Sequence, residues 1–499
     1  MSPRASDGSI QLPVWGAHGA EAREKCGVFG VWGAPHPGTL AYAGLLALQH
    51  RGQESAGIAV TDGSAIMRHA GMGLVSSVFA PERLAALDAH GHARAAPSGS
   101  PGGAIGHNRY STTGASLLEN AQPLMGFMSG GQVAVAHNGN LVNALELRRR
   151  LEEGGRLFRT TSDTEVVLQL LAARAAEGVA DPLAAALAEL RGAFSLVLLF
   201  DDRVEVARDP WGWRPLAIGR MADGSFAAAS ETIALDIVGA RTLGEVEPGT
   251  IATLSDSGVQ SRRYAPQAKR TAHCVFEHVY FASPASRLFG QSVQQVREKL
   301  GEALAREAPA KADLVMPMPD SGRSAAMGFA RISGLPYREG IIPNRYVGRT
   351  FIRPSPEERA MAVRLKLNIV AEVVEGRRCV VVDDSIVRGT TTKAKMDQLR
   401  GAGAREIHLR ISCPPIRHPC FFGIDFAEPS QLVANGREVE EIRRLLGVDS
   451  LHYLSIDGML GAASTAEHPP EHFCTACYSG EYRIAIPEEV GKHVLTAKC

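Results

Sequence analysis

From Cys26 to about Leu254 the chain alternates short apolar runs with glycine-rich turns. Gly27–Trp32, Ile58–Thr61, Gln132–Ala136, Ala193–Phe200 and Phe226–Ser230 have the length and side-chain content of strands. Among them, apolar residues recur at helical spacing in Leu40–Gln49, Leu141–Glu152, Thr164–Ala176 and Pro182–Leu190. Strands interleaved with a few helices predict α+β layers rather than a repeating βαβ unit. Around Ser257 to Thr271 the chain turns polar and basic and contains Pro266, the texture of a domain boundary. Beyond it, Leu314–Pro317, Arg378–Val382 and Ile407–Ile411 read as strands, and Ser324–Ile332 and Thr391–Ala402 as helices. That alternation predicts a parallel sheet. The remaining C-terminal stretch alternates helix and loop. The expected organisation is a loose leader over 1–25, one domain over 26–262 and a second over 263–499.

Composition narrows the class. The chain has 499 residues, 45% hydrophobic and 21% charged, with Lys+Arg and Asp+Glu both at 53. These are values of a globular protein of more than one domain, not of a disordered, collagen-like or disulfide-stapled chain. Zero net charge argues against nonspecific nucleic-acid binding, since no cationic surplus is present to displace counterions. No stretch approaches the roughly 18–20 apolar residues that span a bilayer. The leader, broken by Asp7, His18, Glu21, Arg23, Glu24 and Lys25, lacks the apolar core of a secretory signal. No membrane association and a cytoplasmic location are therefore expected. In that reducing setting the eight cysteines are expected to be free, catalytic or metal-bound.

Cys26 stands just before the Gly27–Trp32 strand. With the leader removed it would be the first residue, and its own α-amine, titrating near ~7.7–8.0, is a built-in base for the thiol. A buried strand cysteine is the plain alternative. Three further stretches bear on the choice. Gly106–Gly114 places Arg109 in a polar, glycine-bounded loop, suited to gripping a carboxylate with a planar fork. Asn138 and Gly139 follow a strand and offer an amide side chain and a backbone N–H, the parts of an oxyanion hole. Asp163 opens a helix and suits a substrate ammonium. Each has a structural explanation as well: a surface salt bridge for Arg109, a hairpin turn for Asn-Gly, and a capping box for Ser162 and Glu165 with Asp163 on the helix dipole. Taken together, the four stretches resemble the class II, N-terminal-nucleophile (Ntn) glutamine amidotransferases, from Cys26 to about residue 255. The resemblance implies an αββα Ntn-hydrolase domain in which Cys26 attacks the glutamine amide. Asn138 and Gly139 would stabilise the oxyanion, while Arg109 and Asp163 would hold the glutamine α-carboxylate and α-amino groups.

In the second half, a β-branched strand from Arg378 ends in Asp383 and Asp384, followed by Ser385-Ile386-Val387-Arg388-Gly389-Thr390-Thr391. Paired carboxylates can accept ribose hydroxyls or sit near Mg²⁺. The loop N–H groups, threonine hydroxyls and following helix N-terminus make a phosphate cradle. This stretch resembles the 5-phosphoribosyl-1-pyrophosphate (PRPP) motif of α/β type I phosphoribosyltransferases. Ser321, at the end of Leu314–Pro317, is placed to reach pyrophosphate or Mg²⁺. Arg345 and Arg349 lie in a basic segment suited to a closing lid, or to a solvated loop. A class II glutaminase ahead of a PRPP fold resembles the amidophosphoribosyltransferase family, over residues 26 to about 480. The resemblance implies transfer of glutamine-derived ammonia to PRPP, with Mg²⁺, purine nucleotide inhibitors of AMP and GMP type, and a homotetramer. Hexosamine-phosphate synthases and asparagine synthetases share the glutaminase but not the Asp383 motif. A PRPP-sensing regulatory protein with a vestigial glutaminase is the non-enzymatic rival, and intact Cys26, Arg109, Asn138 and Asp163 weigh against it.

Cys474-x-x-Cys477 with the distant Cys274 and Cys420 is compatible by spacing with zinc, an iron–sulfur cluster, a redox pair or no metal. The cluster-containing branch of the family has cysteines in these four contexts. The resemblance therefore implies a [4Fe–4S] cluster on Cys274, Cys420, Cys474 and Cys477, leaving Cys379, Cys413 and Cys499 as bystanders.

Overall fold

The computed structural model describes residues 26–92, 102–110, 116–344, 367–425, 429–490 and 494–495. The leader, Arg345, Arg349 and Cys499 lie outside the described residues.

The first half is built on two antiparallel sheets. One has seven strands in the order Arg241–Glu245, Ala217–Arg220, Phe226–Ala229, Gly27–Trp32, Gly103–Arg109, Ser55–Thr61 and Ile66–Met72. The other has six, in the order Gly258–Arg263, Thr250–Ser255, Val204–Arg208, Gly192–Leu199, Gly131–Leu141 and Leu124–Met128. The period-2 geometry of a strand sends alternate side chains to opposite faces, and the cores follow it. Val28 and Trp32 pack with Ala134, Ala136 and Val197 between the sheets. Phe29 and Val31 face the other way, onto Ala41 and Leu45 of the helix Pro37–Ala47. Val133 and Val135 pack on Leu147, Val167 and Leu187 of three helices covering the second sheet. The result is four layers, helix–sheet–sheet–helix.

In the second half, Leu314–Pro317, Arg378–Asp383, Glu406–Ile411 and Ser450–Tyr453 form a parallel sheet in that order. The helices Val293–Glu307, Arg323–Ser333, Thr390–Gly401 and Val439–Leu446 bury their apolar stripes in its core. A parallel sheet covered on its faces needs near-continuous apolar strands, as Cys379-Val380-Val381-Val382 supplies.

Three expectations change. Gly106–Arg109 is not loop: it completes the buried strand Gly103–Arg109, paired on both sides. Its polar residues tolerate burial because they are bonded, Asn108 to the Leu45 carbonyl and His107 to the His137 carbonyl. Asn138 and Gly139 are not a hairpin turn but strand residues, opposite Ser195 and Phe194. The fourth parallel strand, Ser450–Tyr453, falls where only helix and loop are expected, because its short, mostly polar run carries no apolar alternation.

Candidate functional site

Cys26 is buried at the start of the first strand, with its Sγ donating to the Tyr110 carbonyl at 3.4 Å. Burial pushes the thiol up to about 11, with the Tyr110 backbone and the Arg109 cation opposing, and Glu54 and Asp163 adding to the rise. A thiol held so high is a poor thiolate at neutral pH and needs a proton acceptor to attack. The Cys26 carbonyl accepts from Arg51 Nε at 3.1 Å.

The other expected glutaminase residues gather around it. Arg109 ends its strand almost fully buried, with one guanidinium nitrogen 2.6 Å from Glu54 Oε1. A guanidinium carries five donors, enough for both Glu54 and a substrate carboxylate. Asp163 is the first residue of the helix Asp163–Ala176, capped by Ser162, whose Oγ accepts from the Thr164 N–H. Glu165 does not close a capping box on Ser162; its carboxylate reaches back to the Arg159 and Thr160 N–H groups. Asp163 Oδ2 accepts from Leu141 N at 3.0 Å and lies 3.6 Å from His137 Nδ1. Burial alone would raise this carboxyl, but His137, the Leu141 N–H and Arg109 together hold it below the ordinary range. It is therefore an anion at neutral pH, suited to an ammonium.

The amide of Asn138 donates to Ser230 Oγ at 3.4 Å, and that same oxygen accepts from Val28 N at 3.0 Å. Ser230 thus ties the nucleophile's strand to the Asn138–Gly139 pair across the two sheets. Glu54 and Ser230 were missed in the sequence. The run Arg51-Gly52-Gln53-Glu54-Ser55 is a visible polar cluster before a strand, whereas Ser230 carries no local signal.

At the second site, Asp383 ends its strand and Asp384 begins the following loop, both buried. Burial and the neighbouring Asp384 push Asp383 well above the carboxylate range. Asp384 is also raised by burial, against hydroxyl donors from Ser321 and Ser385 and the Arg297 cation. Ser321 and Ser385 thus lie beside Asp384, and buried Lys395, facing Asp383, is an addition to the set. Gly389 takes φ +77° as the N-cap of Thr390–Gly401, a left-handed turn that lets the loop enter the helix. Thr390 and Thr391 sit in the first turn, where N–H groups have no intrahelical acceptor. Arg388 instead turns outward and bonds Gln431.

The four cysteines expected as cluster ligands converge. Cys274 and Cys474 are register partners in a two-residue parallel bridge, and Cys420 and Cys477 lie within charge–charge range of both. Burial raises all four thiols, Cys474 to about 12, with Glu277 adding to the rise at Cys274 and the neighbouring cysteines adding to it at Cys420, Cys474 and Cys477. The Trp213 indole N–H faces the Cys474 sulfur without completing a hydrogen bond. Among the described residues, no three His, Cys, Asp or Glu side chains crowd closely enough to hold a single metal ion. Cys379 is buried within the parallel sheet and Cys413 just beyond the end of its third strand. Among the described residues, no helix is long and apolar enough to cross a membrane.

The profile of a glutamine amidotransferase domain matches residues 107–236. The amidophosphoribosyltransferase of Methanothermobacter thermautotrophicus is 46% identical over 96% of this chain and 99% of its own length. That of Bacillus subtilis is 45% identical over 93% and 95% respectively. The solved structure of the B. subtilis glutamine PRPP amidotransferase complexed with ADP and GMP aligns with TM-score 0.84 at 43% identity, covering 94% of this chain and all of that one. A structure described as the allosteric regulatory enzyme of purine biosynthesis gives TM-score 0.86 at 44% identity over 94% and 99%. The four-layer sandwich and the parallel-sheet half are thus together the fold of these two structures. The chain belongs to the amidophosphoribosyltransferase family.

Proposed function

We propose that this chain transfers ammonia from glutamine to C1 of PRPP, giving 5-phosphoribosylamine, glutamate and pyrophosphate, the first committed step of de novo purine synthesis. The observation that carries the reading is the gathering of Cys26, Arg109 and buried, ionised Asp163 around one thiol. Leader removal would free the Cys26 α-amine, which takes the thiol proton as Sγ bonds the amide carbon. Charge on the amide oxygen is met by the Asn138 side chain and the Gly139 N–H. Collapse expels ammonia, and water releases glutamate from the thioester. Arg109 and Asp163 fix the α-carboxylate and α-amino groups, so the attack is intramolecular in effect.

At the second site the helix N-terminus at Thr390–Thr391 and the loop behind it cradle phosphate, and Asp383 and Asp384 face the ribose side. Two crowded, buried carboxylates with Ser321 beside them also suit Mg²⁺, which when bound would neutralise charge on the departing pyrophosphate. Arg345 and Arg349 are proposed as the basic lid. A vestigial glutaminase serving a PRPP sensor is not favoured, since none of its chemical groups is missing. Purine nucleotide inhibition is proposed on the likeness to the ADP- and GMP-complexed relative. A cytoplasmic location is proposed from the sequence.

For Cys274, Cys420, Cys474 and Cys477 we propose a [4Fe–4S] cluster. Four mutually repelling buried thiols become stable thiolates only around a cationic core. A single zinc with bonds near ~2.3 Å needs sulfurs about 4 Å apart, whereas a cluster gives each thiolate its own iron and suits a wider set.

The test is release of glutamate and pyrophosphate from glutamine, PRPP and Mg²⁺ in equal amounts. Cys26→Ala should abolish glutamine use while ammonia-dependent pyrophosphate release continues. Glutamine use unchanged by that substitution overturns the nucleophile assignment.

A further inference from the structure

The strand that carries the proposed oxyanion donors is gripped from the other half of the molecule. Gly423 takes φ +99°, and a Cβ built there would lie 3.0 Å from the Gly139 carbonyl carbon, 3.1 Å from its oxygen and 3.2 Å from its Cα. Backbone therefore rests on backbone at the residue whose N–H must be aimed. One residue along, the Asn140 side chain donates to the Phe421 carbonyl at 2.9 Å. Between these contacts the Phe422 ring, fully buried, stacks on Trp213 with centroids 4.4 Å apart and planes 19° from parallel. Buried Arg214 donates to the Phe422 carbonyl and pairs with Glu277 at 3.3 Å. Each peptide of the turn is thus fixed, and Phe422 joins Val142, Ala193 and Trp213 in one small core. On its other side Gly139 is walled by the Ala193 carbonyl of the neighbouring strand.

We propose that the turn Phe421–Gly423, supplied by the transferase half, is a positioning element for the Asn138–Gly139 oxyanion donors of the glutaminase half. The proposal rests on the glutaminase reading above. Ordinary interface packing would spread its contacts over side chains. Here they converge on the Gly139 main chain and the adjoining Asn140 side chain, where a displacement of a few tenths of an ångström re-aims a donor. Oxyanion donors act on charge that develops only in the transition state. The turn should therefore govern turnover of glutamine and not its binding.

Two variants approach the contact from opposite sides. Gly423→Ala drives a methyl into the Gly139 peptide, and Asn140→Ala releases the turn. Each is expected to lower kcat for glutamine about tenfold to hundredfold with KM changed less than about threefold. Ammonia-dependent transfer to PRPP should stay within about twofold of the unaltered chain. A glutamine analogue with an aldehyde in place of the amide supplies a second readout. The Cys26 thiol adds across its C=O, the proton passing to the oxygen, to give a hemithioacetal whose oxygen occupies the oxyanion position. Its inhibition should weaken by the same factor as kcat, while product inhibition by glutamate stays unchanged. Should Gly423→Ala not fold, Asn140→Ala carries the same comparison alone. Wild-type kcat in the variants, an equal loss of the glutamine and ammonia reactions, or an effect on KM alone would each overturn the turn's role. A failure of the unaltered chain to hydrolyse glutamine would instead bring down the reading on which it rests.

Discussion

Gly139 has no room for a side chain: a Cβ there would fall 1.9 Å from the Ala193 carbonyl and 2.7 Å from His137 Nε2. Gly139→Ala must push its strand off Gly192–Leu199 and carry the donor N–H with it. We expect glutamine-dependent kcat to fall by roughly 10²–10³, the cost of losing one oxyanion donor, with ammonia-dependent transfer kept. Steady-state rates with each nitrogen source check this, and an alanine variant with normal glutamine turnover would remove Gly139 from the site. At this scale the sequence was informative where chemistry demands a residue type. Cys26, Arg109, Asn138, Asp163 and the Asp383–Asp384 pair could be singled out by residue type, the first four only when taken together. Their partners Glu54 and Ser230 could not, because a carboxylate or hydroxyl becomes a partner only through a fold that joins residues 55 to more than 90 positions apart.

Among the elements, strands were legible where apolar residues fill them, as in Gly27–Trp32 and the Gln132–Ala136 part of Gly131–Leu141. Gly103–Arg109 escaped because polar residues fill a strand buried on both faces, a pattern that reads as loop until hydrogen-bond partners are known. Between the halves, Glu231 is a fully buried joint. Its carboxylate pairs with Arg51 and His50, and accepts from Ser283 N at 2.8 Å and Ser286 Oγ at 2.7 Å. Burial works against its charge, yet His50 and Arg51 hold it down to about 2. A carboxyl depressed on folding contributes its stability at pH above its ordinary value, near 4.5, and loses it as pH falls toward 2. Glu231→Gln should therefore destabilise the chain by about 3 kcal/mol at neutral pH, the cost of breaking a buried pair. It should also flatten the loss of Tm between pH 4.5 and 2. Thermal unfolding across that window tests both, and an unchanged acid slope would show that the pair is not the cause.

For the whole molecule, the neutral charge balance argued against nonspecific nucleic-acid binding without naming any partner, and the polar, basic stretch near Ser257–Thr271 contains the last strand of the six-stranded sheet, Gly258–Arg263. What stayed hidden is how the C-terminal segment returns to the end of that stretch, since register between residues 200 positions apart leaves no local trace. Anaerobically purified protein should carry about four irons per chain and absorb broadly in the visible. Removing the iron should expose the segment after Pro469 to limited proteolysis; stoichiometric zinc in its place would replace the cluster with a mononuclear site. The His273–Cys274 and Phe473–Cys474 bridge has a temporal meaning as well. A growing chain emerges from the ribosome in order, and the four-layer sandwich can pack on the exposed parallel-sheet half while synthesis continues. The bridge cannot form until Cys474 has emerged, 200 residues after its partner Cys274. Loading the proposed cysteine quartet would thus wait on the later of its two strands and follow the synthesis of the whole four-layer sandwich.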